Sequence, residues 1–355
     1  MNSNVSKILI QTGKAISLNE VARQIAYVGE QLGLITILNR HYLTYPFYKG
    51  YFDAVIFVYP SSPAWCTQWF YHYVKAKKEL NGKAIYYTTI EGIPKKQVIA
   101  DWVFREVEFI ACSKYVKKCL EKVGLKVIDV IPHGYPEFEI QQAEELSLKY
   151  TSLINERFKD KVVFGYIGDF NFRKGLDYLL QAIKLLSQRR NDFVVLIISK
   201  PEVIRKIQDI PNTVFIGEFG TRNHVEIMGF YKAIDYLLFP SLAEGFGLPL
   251  LEANVVGTPA IITDLPSFRE YCDLKANFVT PVKNVQILDV GDGILYEIHY
   301  YDIKDLVNEM ENAIEIHKKY PSEYVDRSAK VKEKVKDLKS EILYRKFFQL
   351  LGYVK

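Results

Sequence analysis

Two carboxylates, Glu244 and Glu252, stand eight positions apart in the run Phe239-Pro-Ser-Leu-Ala-Glu-Gly-Phe-Gly-Leu-Pro-Leu-Leu-Glu252. The run reads as a strand ending at Pro240, a loop holding Glu244, Gly245 and Gly247, and a helix opening near Leu248. Pro249 falls in the first turn of that helix, where a missing N–H is tolerated. Such a loop offers backbone N–H groups and the positive end of a helix dipole to an anion or to sugar hydroxyls. Glycine lets the backbone approach a ligand closely. With one carboxylate on the loop and the other inside the helix, both can face one crevice at different depths. That suits several hydroxyls of one extended ligand. A basic pair, Arg173-Lys174, directly precedes Gly175 and a helical pattern. Cations at a helix N-terminus are electrostatically misplaced unless an anion joins them.

The elements that must position these groups alternate as short β-branched runs and longer helical patterns, the appearance of βαβ units and parallel sheets. The first series has strand candidates at 7–11, 35–39, 54–59, 83–88, 108–111 and 127–131. Its helices include 17–32, with Ser17 as cap and Glu20 three residues on, and 114–123. The cluster Pro132-His133-Gly134-Tyr135-Pro136 breaks the series. A second series follows, with strands at 162–167, 193–199, 213–216, 236–240 and 259–263, and helices at 175–188, 225–233 and 248–256. The expected domains are 1–134, 135–317 and a helical segment 318–355. Trp65, Trp69, Phe70, Tyr71 and Tyr73, at helical intervals, read as core.

The 355 residues are 49% hydrophobic, which excludes general disorder. Cys66, Cys112, Cys119 and Cys272 form no C-x-x-C pair, and they read as buried thiols in a reducing compartment. No run reaches the ~18 apolar residues of a membrane span. The net charge of +4 divides into +7 for residues 1–134, −9 for 135–317 and +6 for the remainder.

Three ordered motifs carry a resemblance to retaining GT-B glycosyltransferases, specifically glycosyltransferase family 4 (glycosyl transferases group 1). Glu244 and Glu252, with seven residues between them, resemble its E-x7-E motif, flanked by Gly257-Thr-Pro-Ala and Thr263-Asp264. Gly165-Tyr-Ile-Gly-Asp-Phe-Asn-Phe-Arg-Lys-Gly175 resembles the opening of its donor domain. Val130-Ile-Pro-His-Gly134 resembles the V-I-P-N-G segment that closes its first domain, with His133 as a turn residue where Asn is commoner. Many members place Arg directly after the loop glycine. Here Asp169 follows Gly168, and the spacing matches a subtype that relies on the Arg-Lys pair.

The resemblance implies an α/β fold of two Rossmann-like domains facing across a cleft, with C-terminal helices crossing back to the first. It implies a retaining hexosyltransferase that moves a sugar from a UDP-, GDP- or ADP-sugar to an acceptor hydroxyl on a glycan, lipid or protein. Glu252 and Gly168 would bind the donor, with Glu252 on the ribose. Glu244 would hold the transferred sugar, aided by Gly245, Phe246, Gly247 and Leu248. Arg173 and Lys174 would neutralise the diphosphate, so no metal and no other cofactor is expected, in keeping with the absence of a D-x-D motif. The departing diphosphate gathers negative charge, and fixed cations there favour the transition state. Attack comes from the same face, assisted by the leaving phosphate. Gly13 and Glu91, each after a strand, are acceptor-side candidates. Rival readings are a sugar phosphorylase or epimerase on the same fold, and a non-catalytic nucleotide-sugar-binding subunit. If the C-terminal helices return, the first half gathers about +13. Lys75, Lys77, Lys78, Lys114, Lys117, Lys118 and Lys122 would then meet an anionic acceptor or membrane face. A cytoplasmic protein, peripheral at the inner membrane face, is expected, with no nucleic-acid partner.

Overall fold

A computed structural model describes residues 5–41 and 45–354, without the side chains of residues 63–65. The Trp65 side chain thus lies outside the described residues. The chain divides into two units. Unit 1 comprises residues 1–137, 287–297 and 338–355; unit 2 comprises 138–286 and 298–337.

Unit 1 opens with β1 (Lys7–Thr12), α1 (Ile16–Gln31), β2 (Ile35–Asn39), β3 (Ala54–Val58), α2 (Pro63–Glu79) and β4 (Ala84–Thr88). It continues through β5 (Gly92–Pro94), α3 (Asp101–Glu106), β6 (Glu108–Ala111), α4 (Lys114–Glu121) and β7 (Lys126–Val130). Six strands form a parallel sheet in the order β2-β1-β3-β4-β6-β7. The central strands β3 and β4 are buried along their whole length, as a sheet covered on both faces requires. Trp69, Phe70 and Tyr73 are core residues of α2, whereas Tyr71 points out at 58% exposure. The expected Ser17 cap is not made. Helix α1 starts behind Ala15 with no side-chain cap, and Glu20 instead accepts from Arg23.

Unit 2 begins with α5 (Ile140–Arg157), β8 (Val162–Ile167), α6 (Leu176–Ser187), β9 (Phe193–Ser199), α7 (Val203–Ile207) and β10 (Thr213–Glu218). Then come α8 (His224–Ala233), β11 (Tyr236–Phe239), α9 (Leu248–Val255), β12 (Ala260–Thr263) and β13 (Phe278–Thr280). A hairpin, β14 (Val282–Asp289) and β15 (Ile294–Tyr301), leads to α10 (Ile303–Lys319), α11 (Pro321–Val335), α12 (Ser340–Leu343) and α13 (Arg345–Leu350). The six-stranded parallel sheet runs β10-β9-β8-β11-β12-β13. Strands β8, β9, β11 and β12 are wholly buried. The chain winds outward from β8 through β9 to β10, then returns to the other side of β8 with β11. In such doubly wound sheets, ligands bind at the carboxyl ends of the strands where the winding direction changes. Here those are the ends of β8 and β11, which carry the Gly168–Gly175 and Pro240–Gly247 loops.

The C-terminal segment is divided differently from the expected 318–355. Helix α11 stays with unit 2: it packs against α9, and Ser328 donates to the Gly257 carbonyl. Only residues 338–355 join unit 1, where the Gly134 N–H donates to the Tyr344 hydroxyl at 2.9 Å. Unit 1 therefore holds 21 Lys+Arg against 15 Asp+Glu, a net of +6 and about half the expected excess. The tip of the β14–β15 hairpin also belongs to unit 1, pairing through β15 with β5. Among the described residues, no helix is long and apolar enough to cross a membrane.

Candidate active site

The loop after β8 is shaped by Gly175, whose φ of +68° is left-handed. A Cβ at Gly175 would lie 2.0 Å from the Pro240 carbonyl oxygen. The β8 and β11 loops thus touch here, and only glycine fits between them. Arg173 and Lys174 lie on the short turn just before Gly175. The Arg173 carbonyl accepts from the Leu242 N–H at 2.7 Å, a second tie between the loops.

This docking brings the basic pair onto Glu244. Lys174 Nζ donates to Glu244 Oε1 at 2.6 Å, and Arg173 Nη1 lies 3.5 Å from Oε2. Ser241 Oγ donates to Oε1 at 2.8 Å, and Ser267 Oγ donates to the Glu244 carbonyl at 2.9 Å. Glu244 is 7% exposed and both cationic side chains 19%. Burial pushes the Glu244 carboxyl up, but the Lys174 and Arg173 charges and the Lys174 and Ser241 hydrogen bonds outweigh it. The group stays below the usual carboxylate range, ionised at neutral pH. The pair of cations therefore sits on the carboxylate expected to hold the sugar.

Gly247, with φ +97°, turns the chain into α9, and a Cβ there would meet the Phe268 ring at 2.4 Å. The Tyr271 hydroxyl lies 2.9 Å from the Gly247 carbonyl and 3.2 Å from that of Phe246. The Phe246 ring stacks on Tyr271 at 4.6 Å. Gly245 and Phe246 are buried in the loop, and Leu248 is the buried first residue of α9. Glu252 lies on α9, 7% exposed, and its Oε1 contacts His224 Nε2 at 3.1 Å. The opposite ring nitrogen, His224 Nδ1, lies 2.5 Å from Glu139 Oε2.

Gly168 is buried at the end of β8, its carbonyl accepting from Ser199 Oγ at 2.7 Å. Asp169 pairs with Lys200 at 2.9 Å. The Tyr166 hydroxyl, by contrast, is buried beneath this loop with no hydrogen-bond partner among the described residues. Burial raises its pKa, so it remains a proton donor.

In unit 1, Gly13 is buried at the carboxyl end of β1. Glu91 is half-buried just before β5. Gly92 pairs with Tyr296, and a Cβ there would meet the Leu295 carbonyl at 2.3 Å. The need for glycine at that position comes from the hairpin. His133 is 3% exposed, its Nδ1 lying 2.8 Å from the Tyr87 hydroxyl, and burial pulls its pKa down to about 3. A neutral structural ring follows. Of the lysines expected to meet an anionic acceptor or membrane face, Lys75, Lys77, Lys78 and Lys117 are paired with Glu79, Glu108, Glu106 and Glu121.

The structure thus brings Glu244, Lys174, Arg173, Gly245, Phe246, Gly247, Leu248, Glu252 and Gly168 together in unit 2, and holds Gly13 and Glu91 in unit 1. Sequence reasoning missed Ser241, Ser267, Tyr271, Tyr166, His224 and Glu139. Ser241, three positions before Glu244, and Tyr166, beside Gly165, lie inside runs already singled out, whereas the others are distant and carry no motif.

Residues 152–322 match the family model of glycosyl transferases group 1. The chain is 29% identical over 349 residues to an uncharacterized glycosyltransferase, 335, of Sulfolobus islandicus rod-shaped virus 1, covering 97% of this chain and 100% of that one. Its fold is similar to a glycosyltransferase from Rickettsia africae ESF-5, with TM-score 0.71, 15% identity, and 98% and 99% of the two chains covered. It is likewise similar to Anabaena Alr3699/HepE in complex with UDP and glucose, with TM-score 0.69, 13% identity, and 98% and 100% covered. Residues 152–322 thus resemble the glycosyl transferases group 1 family, within an α/β fold of two Rossmann-like units that the two solved structures share.

Proposed function

We propose that this chain moves a hexosyl group from a nucleotide-diphosphate sugar to an acceptor hydroxyl, with retention at the anomeric carbon and without a metal. The observation that carries this reading is the buried Glu244–Lys174–Arg173 cluster on the two loops where the unit 2 sheet changes direction. UDP-glucose is the first donor to test, because HepE is seen with UDP and glucose.

When the donor arrives, its diphosphate competes with Glu244 for the two cations. Two charges of matching sign and short reach then face the phosphates, and Glu244 Oε atoms are released to accept from sugar hydroxyls. Glu252 accepts from the ribose. In the transfer step the bond from the anomeric carbon to the β-phosphate oxygen breaks, with its electron pair leaving on phosphate. The acceptor oxygen attacks from the same face, and its proton passes to that departing oxygen. Lys174 and Arg173 gain most from the charge that develops, which is where fixed, poorly hydrated cations lower a barrier most. They fill the place a divalent ion would take.

The test is a thermal-shift screen with UDP-, GDP- and ADP-sugars, followed by nucleoside diphosphate release in excess EDTA. A ligand at 100 times its Kd stabilises by about 2.7 kcal/mol, a shift readily seen. No stabilisation by any of the three removes the donor-site reading. Abolition by EDTA removes metal independence, and an inverted anomer in the product NMR spectrum removes retention.

A further inference from the structure

His224 is the first residue of α8, fixed there by a reciprocal cap. Asn223 Oδ1 accepts from the Glu226 N–H and Glu226 Oε2 from the Asn223 N–H, both at 2.9 Å. A cationic ring at a helix N-terminus is unfavourable on its own. Here the two ring nitrogens meet Glu139 Oε2 at 2.5 Å and Glu252 Oε1 at 3.1 Å, and the side chain is only 10% exposed. A neutral imidazole has one N–H to give, whereas an imidazolium has two, and two flanking carboxylates match the latter. Glu139 and Glu252 are 5% and 7% exposed, so each needs a fixed donor. The three side chains form one connected line from the segment that enters unit 2, through α8, to α9.

Resting on the donor-site reading above, we infer that His224 is a positioning residue for nucleotide recognition. It occupies Glu252 Oε1 and fixes the carboxylate plane, leaving Oε2 to accept from the ribose hydroxyls, while Glu139 anchors the ring. A carboxylate held in this way has lost its rotamer freedom before the nucleotide binds. Such preorganisation strengthens binding without adding a contact.

The test compares ribose recognition rather than affinity alone. UDP, GDP and ADP, each beside its 2′,3′-dideoxy counterpart, are titrated calorimetrically into the wild type, His224→Gln and His224→Leu. For the nucleotide that the wild type binds best, the hydroxyls are expected to contribute about tenfold or more, as a hydrogen bond to a charged group does. This preference falls towards unity in His224→Leu and is largely kept in His224→Gln, whose amide still donates to Glu252. An undiminished preference in His224→Leu overturns the inference. So does equal weakening of both nucleotide forms, the mark of general damage. If His224→Leu does not unfold cooperatively, Glu139→Gln carries the comparison: a reduced preference supports the anchor, an unchanged one rejects it. If none of the three diphosphates binds the wild type, the donor-site reading itself falls, and the inference with it.

Discussion

The two parallel sheets change winding direction in the same way, yet the residues at the two turning points differ in kind. In unit 2 the loops and the helices that follow hold charge: Glu244 between Lys174 and Arg173 on the loops, and Glu252 of α9 beside His224 of α8. In unit 1 the corresponding ends of β1 and β3 hold a neutral network. Gln11 Nε2 donates to the Tyr59 hydroxyl at 3.2 Å and to the His41 carbonyl at 2.9 Å. Asn39 Nδ2 donates to Gln11 Oε1 at 2.9 Å, and Thr12 Oγ1 to the Val58 carbonyl at 2.9 Å. One topology therefore serves two chemistries. A diphosphate is recognised by fixed charge, whose burial must be compensated in the free protein by counter-charge. Neutral amides and hydroxyls can be satisfied internally at little cost, and they suit a hydroxyl-bearing molecule.

The sharpest way to break this contrast is to remove charge from unit 2. Glu244→Gln and Lys174→Met are each expected to lower kcat for nucleoside diphosphate release by about 10²–10³, as losses of a preorganised electrostatic partner do. Lys174→Met also leaves the buried carboxylate with Arg173 at 3.5 Å and the Ser241 hydroxyl, and should lose about 3 kcal/mol in urea unfolding. Unchanged turnover in either variant would show that the cluster is only structural.

A second prediction concerns protons in unit 1. The Tyr87 hydroxyl donates to the Ile131 carbonyl at 2.8 Å, so it accepts from His133 Nδ1–H, and burial holds the ring neutral. With its pKa near 3 in the folded chain, His133 binds a proton in the unfolded chain first as pH falls. Its stabilising contribution is complete above about pH 6.5 and is lost as pH drops towards 3, amounting to about 2 kcal/mol at pH 5. His133→Asn keeps a donor for Tyr87 and should flatten the stability profile between pH 7 and pH 5 by that amount. Parallel profiles for the two proteins would show that His133 is not the group responsible.

The neutral network gives the complementary prediction. Asn39→Ala removes the donor to the buried Gln11 Oε1 and should cost about 1–2 kcal/mol of stability. Nucleotide-sugar binding should stay within about twofold, since no charge changes and the proposed donor loops lie in the other unit. A loss of donor affinity comparable to that of Lys174→Met would erase the division between the two regions.

How far the sequence foretold this arrangement depends on the distance over which each feature is encoded. The β8 and β11 loops were legible because Gly168, Gly175, Gly247 and Pro249 mark turns whose chemistry is local. The central strands β3, β4, β8, β9, β11 and β12 were legible as runs buried on both faces. Helix α5 is not among the elements the sequence marks, because Ala143 and Ser147 are its buried residues while Leu148 and Leu153 point outward. The β14–β15 hairpin escaped because β14 is an exposed edge whose residues pack against little. The alternative cap at Ser17 lost to a start at Ile16, since Glu20 was drawn to Arg23. His224 could not be read at all: its partners lie 85 and 28 positions away, and nothing local marks them.

The smallest expected effect tests whether the proposed donor loop is prepared for a ligand before one arrives. A buried hydroxyl without a partner costs the free protein stability, as the Tyr166 hydroxyl does beneath Gly168. Tyr166→Phe removes the oxygen and keeps the ring, so the unliganded protein should gain up to about 1 kcal/mol in urea unfolding. If the hydroxyl finds its partner only when phosphate occupies the loop, the same variant should bind nucleoside diphosphate a few-fold more weakly. Gain in the free state with loss in the bound state would place Tyr166 beside Lys174 as a group held ready for the anion. A loss of stability in the free state would mean that the hydroxyl is already satisfied, and the orphaned donor would belong with the neutral, internally closed network of unit 1 instead.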